Sequence, residues 1–428
     1  MGLLWAFVPA IALAQPPFQL HGWVAARGLA VEGRPSWRDG DFGRLDVGAD
    51  NPEDDATYGA GKLQLALDAR LGQHLDAHLH FAARAEPEGT GGQAFGLVEG
   101  YLEAHTRLRD SDRVSLRAGH LILPTSKENL DWAWSSPYTL TFSALNTWIG
   151  EEVRATGLLG AYQLAFGEAD ELRFWGSAFG GNDSGGTLLA WRGWALGDRL
   201  GVWNETVPLP PLPGLETGAP FGEQLDSGTR PFGSDLDDRA GWAASLGWRR
   251  AGRASLQATH YDNRGDRELY NGEYAWRTDF YLVGGDLHLP ALGGELSLVA
   301  EWMDGSTGMG ELDSTHVQLD FETTYYLVSW SRGLWRLTTR YDHFETRDTD
   351  GSVPLDPNDG DGSAWTVAAF WEHGTWPLRL GAEWVDVDAV RPAAGLVGTG
   401  ALPSGSDAFG PDTGGQSLIL EARVFLDR

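Results

Sequence analysis

The sequence has no cysteine. Disulfides are therefore excluded as a source of rigidity, and an exported chain of this size must hold its shape another way. Beyond the N-terminus there is no run of 18 apolar residues, so no transmembrane helix is available. If the chain spans a bilayer, only a closed barrel can do it, because every backbone polar group must be paired inside the membrane. Basic residues are outnumbered, 32 against 60 acidic, for a net charge of −28. That balance excludes nucleic acid as a partner and disfavours a basic patch for anionic lipid. Lysine is nearly missing, with only Lys62 and Lys127. Neither a phosphate-binding Gly-Lys-Ser/Thr loop nor a dinucleotide fingerprint occurs, and no repeat of propeller or solenoid length is found.

What is present points one way. Residues 1–14 form an apolar leader ending Ala12-Leu13-Ala14, the small-x-small pattern of a signal peptide cleaved after Ala14. Residues 15–428 then form a single domain. Glycine (58 residues) and tryptophan (20) are abundant, which suits amphipathic strands joined by turns. The dominant signal is period two. In 62–71, Leu63, Leu65, Leu67, Ala69 and Leu71 oppose Lys62, Gln64, Asp68 and Arg70; after Gly72-Gln73 the alternation resumes over 74–86. Sixteen such segments are expected: 18–31, 58–71, 74–86, 94–108, 113–121, 150–167, 172–180, 239–250, 253–263, 276–289, 294–303, 314–331, 334–345, 363–374, 377–389 and 416–427. Most are longer than the usual strand of about 5–6 residues, and about 9–11 suffice for the hydrocarbon. Their connections alternate between short turns and long acidic loops, the arrangement of an outer-membrane barrel with short periplasmic turns and long extracellular loops.

The same alternation extends to particular faces. In 314–331 the apolar face is Val317, Leu319, Phe321, Tyr325 and Leu327, and the lumen face is Gln318, Asp320, Glu322 and Thr324. Segment 150–167 changes phase, so a bulge near Gly157–Gly160 is needed to keep it one strand. Trp242, Trp276, Trp302, Trp335, Trp365, Trp371, Trp376 and Trp384 are expected to form interfacial girdles. Loop 122–149 is aromatic rather than acidic, and is expected to fold inward and narrow the pore.

At that loop the sequence resembles a known family. Arg117-Ala-Gly119-His-Leu-Ile-Leu-Pro124, then Glu128-Asn129, Ser136 and Arg154-Ala-Thr-Gly157, is similar to the phosphate-selective porins O and P. The resemblance implies a sixteen-stranded trimeric barrel whose third loop constricts the pore. The chain departs from the family in its acidity and in its end, Phe425-Leu-Asp-Arg.

The expected function is an outer-membrane porin, a passive diffusion channel for small hydrophilic solutes or ions, with outer-membrane lipid and a homotrimer as partners. The expected constriction is built from Lys127, Glu128 and Asp131 on the loop, with Arg84, Arg117, Glu152 and Arg154 on the wall. Lumen charge rows would add Arg70, Arg107, Arg113, Arg336, Arg340, Asp68, Asp76, Glu99, Glu103, Glu295, Glu301, Asp320, Glu322 and Asp342. No cofactor, metal or catalytic residue is implied. The alternative is a secreted, soluble Trp-rich β-protein that binds glycans, with the same aliphatic faces packed inside. Three further motifs carry weaker signals. Asn182–Gly186 looks like a serine-nucleophile loop without a base. His74, His78 and His80 share a face with Asp76. Asp348, Asp350, Asp356, Asn358, Asp359 and Asp361 could hold calcium but lack EF-hand spacing.

Overall fold

A computed structural model describes residues 18–51, 54–86, 93–224, 228–233, 235–313, 315–351, 357–396 and 411–426. The expected leader, residues 1–14, and Asp356 lie outside these residues. The sixteen strands are β1 (Phe18–Gly33), β2 (Asp55–Arg70), β3 (Leu75–Ala85), β4 (Phe95–Arg109), β5 (Asp112–Leu121), β6 (Ala155–Phe166), β7 (Asp170–Gly180) and β8 (Gly241–Arg250), followed by β9 (Ala254–Asp262), β10 (Arg277–Ala291), β11 (Gly294–Met309), β12 (Val317–Arg332), β13 (Trp335–Asp348), β14 (Gly360–Glu372), β15 (Leu378–Val390) and β16 (Gly415–Phe425). Each pairs antiparallel with its sequence neighbour, and β16 closes the cylinder against β1 with Trp23 opposite Phe425. Closure leaves no unpaired edge. Short turns such as 71–74 and 333–334 lie at one end, and long connections such as 34–54, 122–154 and 181–240 at the other.

The outer face carries exposed aliphatics and aromatics at alternate positions, among them Leu116, Phe174, Leu246, Leu256, Val328 and Leu420. Of the expected girdle residues, Trp242, Trp302, Trp335, Trp365, Trp376 and Trp384 are exposed, and Trp335 stands opposite Trp371. Trp276 is the exception. It lies in a long connection and is completely buried in the interior.

Two expectations are corrected by the interior. First, protein from the long connections packs inside the barrel. The described residues of connections 34–54, 122–154 and 181–240 bring Phe42, Leu145, Trp148, Ile149, Trp191 and Trp194 into one core with wall residues Phe280, Met303, Leu319, Phe321, Tyr325 and Val385. The face of β12 is therefore inverted. Val317, Leu319, Phe321, Tyr325 and Leu327 point inward and are buried, whereas Asp320, Glu322 and Thr324 point outward. The physical reason is that the inner face here meets apolar protein instead of water.

Second, segment 150–167 is no bulged strand. Its first residues end a helix, α1 (Ala144–Glu152), and β6 starts at Ala155 in unbroken register with β5 and β7. The phase change is the helix-to-strand boundary. Ser143 caps α1 by accepting from the Asn146 amide at 3.2 Å. At the other end Arg154 donates to the carbonyls of Ile149, Gly150 and Val153, each at 2.9 Å. The Ile149 carbonyl also accepts from the Val153 amide and the Gly150 carbonyl from the Gly201 amide, and the cation adds a second donor to each and matches the helix dipole.

Glycine 119 shows why the Arg-x-Gly segment needs its last residue. Its φ is +149°, and a side chain would overlap the Gly100 carbonyl and crowd Tyr101 on β4.

Candidate pore constriction

Loop 122–154 crosses the lumen and is held by a dry polar cluster. Arg340 on β13, fully buried, donates to Glu128 at 2.7 Å, to Asp342 at 2.7 Å, and to the carbonyls of Thr141 and Phe142 at 2.8 and 2.9 Å. Glu128 also accepts from the Ser143 amide at 2.9 Å and the Asn146 side chain at 3.1 Å. Glu383 on β15 accepts from the Leu140 and Thr141 amides at 2.5 and 2.8 Å. Glu301 on β11 accepts from Asn146 at 3.0 Å and Tyr325 at 2.6 Å. Carboxylates from the wall thus satisfy backbone donors that the loop carries into the buried interior.

The residues expected at the constriction divide into two groups. Arg117, Lys127 and Asp131 line one cavity of about 540 Å³ beside the inserted loop, together with His78, Glu99, Tyr101, Trp132 and Arg173. Arg117 is paired with Glu103 at 3.0 Å and lies over the Tyr101 ring at 4.8 Å. Lys127 donates to Ser255 on β9 at 2.8 Å, and burial lowers its ammonium below its ordinary value. Arg84 faces inward from β3, where it meets residues 193–205 through the Leu200 carbonyl at 3.0 Å and Glu205 at 2.9 Å.

Glu128, Glu152 and Arg154 are elsewhere. All three are buried in the packing that seats the loop, and Glu152 and Arg154 do not stand on the wall. Glu152 accepts from its own helix's Trp148 indole at 2.6 Å and from the Leu188 amide at 2.8 Å. Leu188 belongs to a second short helix, α2 (Thr187–Arg192), so Glu152 ties the two inserted connections together. Burial pushes the Glu152 carboxyl up to about 7.

A second charged layer was not anticipated. Asp198, at the inner face of connection 181–240, accepts both terminal nitrogens of Arg27 at 2.9 and 2.8 Å, and also pairs with Lys62. Arg27 reaches Glu421 on β16 at 2.8 Å. Alongside, Glu205 binds Arg199 at 2.6 Å, and Arg38 binds Glu86 at 2.7 Å. Burial alone would raise the Asp198 carboxyl, but Arg27 and Lys62 outweigh it and hold it well below the usual carboxylate range. The signal available in sequence was Lys62 and Arg27 on polar faces. Their acidic partner sits in a loop far along the chain, which periodicity does not locate.

The weaker motifs are also placed. Asn182 is fully buried and accepts from the Arg154 amide at 3.2 Å, while its own amide donates to the Glu152 carbonyl at 2.8 Å, so this segment joins the two inserted connections. His78 and His80 share the inner face of β3; His78 contacts Asp68 at 2.7 Å and His80 contacts Gln64 at 2.6 Å. Asp348 accepts backbone amides of Asp350 and Asn358 at 3.2 Å each.

No protein-family profile and no curated protein sequence matches the chain. Solved structures do match. The outer membrane channel DcaP of Acinetobacter baumannii aligns over 96% of this chain and 97% of its own, with a TM-score of 0.55 and 13% identity. OprB of Pseudomonas putida aligns over 95% and 94%, with a TM-score of 0.50 and 10% identity. At such identities the likeness establishes the fold: a closed, sixteen-stranded antiparallel barrel shared with outer-membrane channels.

Proposed function

We propose that the chain is an outer-membrane porin that passes small hydrophilic solutes or ions by passive diffusion. One observation carries the reading: a closed wall is apolar outside at alternate positions, yet encloses a charged cavity beside a folded-in loop. A soluble glycan-binding protein would need a polar exterior. Exposed Leu116, Phe174, Leu246 and Leu256 speak against it, because contiguous apolar surface of that extent requires a nonaqueous neighbour. Arg117, Lys127 and Asp131 face the route and set its charge, while Arg84 holds the inserted residues 193–205 beside it. Glu128, Glu152 and Arg154 act indirectly, by fixing the loop that narrows it. The fill of the barrel argues for a narrow route and small conductance. Export through a leader cleaved after Ala14 and assembly as a homotrimer belong to the same proposal. So does the absence of catalysis: Asn182–Gly186 is occupied in joining loops.

Planar-bilayer recording of the folded protein under a salt gradient tests this. Discrete current steps of uniform size are expected, and the reversal potential gives the ion preference. Folded protein that inserts and carries no current overturns the channel. Chemical cross-linking in detergent reports the trimer.

A further inference from the structure

The cavity beside loop 122–154 has an internal composition unlike the chain as a whole. Its charged lining is Arg117, Lys127 and Arg173 against Glu99 and Asp131, an excess of one positive charge in a protein of net charge −28. The charges are not equally engaged. Arg117 is held by Glu103, and Glu99 accepts from the Ile122 amide at 2.6 Å with His78 at 3.5 Å. Lys127 donates to the Ser255 hydroxyl and feels the Asp286 and Glu301 carboxylates without a direct ion pair to either, and the Arg173 Nε is buried without a hydrogen-bond partner among the described residues.

Two further features point to an occupant. Asn129 is only 6% exposed and lines this cavity, and neither its side-chain nitrogen nor its side-chain oxygen has a partner among the described residues. A buried amide of this kind is costly unless something meets it. Next to it, Leu130 and Trp132 are 55% and 49% exposed inside the barrel. His21 stacks on one face of Trp132 at 3.8 Å, so the other face is turned to the cavity. The loop reaches this shape through two consecutive non-glycine residues with positive φ, Ala133 at 59° and Trp134 at 50°. Such conformations persist only where the surroundings enforce them.

From these features, and resting on the channel reading above, we infer that the cavity is a subsite for a ring-bearing monocarboxylate. The flat apolar face of the ring packs on Trp132 and Leu130. The carboxylate is directed to Lys127 and Arg173, and Asn129 supplies the neutral hydrogen bonds. A single excess positive charge suits one carboxylate better than a multiply charged phosphate, and phosphate has no apolar face to cover the exposed tryptophan. A cavity of about 540 Å³ accommodates a single ring with its carboxylate and leaves space for water.

The test uses the full mature chain, folded in detergent and inserted in planar bilayers, with benzoate, inorganic phosphate and benzyl alcohol as probes. Benzoate is expected to block the current at a concentration at least about tenfold lower than phosphate or benzyl alcohol. Trp132→Ala is expected to raise the half-blocking concentration about fivefold, and Arg173→Gln about tenfold. Trp376→Ala, in an exposed turn, serves as the unchanged control. Equal block by phosphate, or benzoate block untouched by both substitutions, overturns the subsite. If folded protein carries no current, equilibrium dialysis with radiolabelled benzoate decides. Saturable binding that Trp132→Ala weakens keeps the subsite and rejects only the channel; no binding rejects the subsite.

Discussion

Replacing Arg340 by methionine tests what holds the loop in the lumen. Arg340 is fully buried and makes charge-assisted bonds to Glu128 and Asp342 besides serving two loop carbonyls. Methionine keeps much of the volume and removes every donor. Two buried carboxylates are then left without their cation, a loss of about 3–5 kcal/mol for a pair broken on one side. The barrel's own hydrogen bonds are untouched, so the cost falls on seating the loop. The amides of Leu140, Thr141, Ser143 and Ala144 report that seating directly, because they donate to Glu383, Glu128 and Asp342 on the wall and loop. Hydrogen exchange of 139–147 should accelerate by about 100-fold or more, the Boltzmann factor of about 3 kcal/mol. Amides of β13 and β14 away from the contact should keep their protection, and single-channel conductance should rise. Adding Glu128→Gln to Arg340→Met should recover part of the loss, because one orphaned charge is gone. Unchanged exchange in Arg340→Met would refute the reasoning, and so would strictly additive effects in the double variant.

Three further outcomes follow from the same packing. Phe321→Ala should destabilise the folded protein by about 3–5 kcal/mol in urea titrations, since the ring lies 5.3 Å from Trp148 and 6.0 Å from Trp194 in the interior; Tyr326→Ala, on the exposed face of the same strand, should cost far less. Gly119→Val should lower the yield of heat-modifiable barrel on electrophoresis, because a side chain there would meet the Gly100 carbonyl at a positive φ, whereas Gly160→Ala, with open space at that position, should fold normally. Burial raises the Glu152 carboxyl to about 7, so its contribution to seating α1 is full below the ordinary glutamate range near 4.5 and is lost as pH rises through about 7. Proteolysis of connections 122–154 and 181–240 should therefore increase from pH 5 to pH 8, and Glu152→Gln should flatten that rise.

How far the sequence could be read depends on what each strand face meets. Each of the sixteen strands overlaps an expected segment, though 150–167 breaks its alternation where a helix ends; β2 and β3 match closely because Leu63, Leu65 and Leu67 meet the outside while Lys62 and Gln64 meet polar partners inside. The helix α1 leaves no periodic signal because its residues mix polar and apolar types all round, and all nine are buried. Amphipathicity marks a helix that has a wet side, and this one has none. Glu152 and Arg154 imitate wall residues for the same reason: two charges at alternate positions look like a strand face when they are in fact the end of a helix and the cation that binds its last carbonyls.

Strand β12 carries the more general lesson. Period two reports that two environments differ in polarity, and it is silent about which is inside. An empty pore makes the inner face the polar one. Once connections 122–154 and 181–240 enter the barrel with Trp148, Trp191 and Trp194, the inner face opposite them becomes the drier surface, and selection fills it with Leu319, Phe321 and Tyr325. The outward residues at that height, Asp304, Asp320, Glu322 and Asp388, are then free to be acidic. Much of the surplus negative charge is thus compatible with a lumen cavity of opposite excess. Whole-chain charge is consequently a poor guide to what the interior admits. The sign of the reversal potential should follow Lys127, Arg117 and Arg173, and a preference for cations would show that the acidic exterior, acting over the mouth, outweighs them.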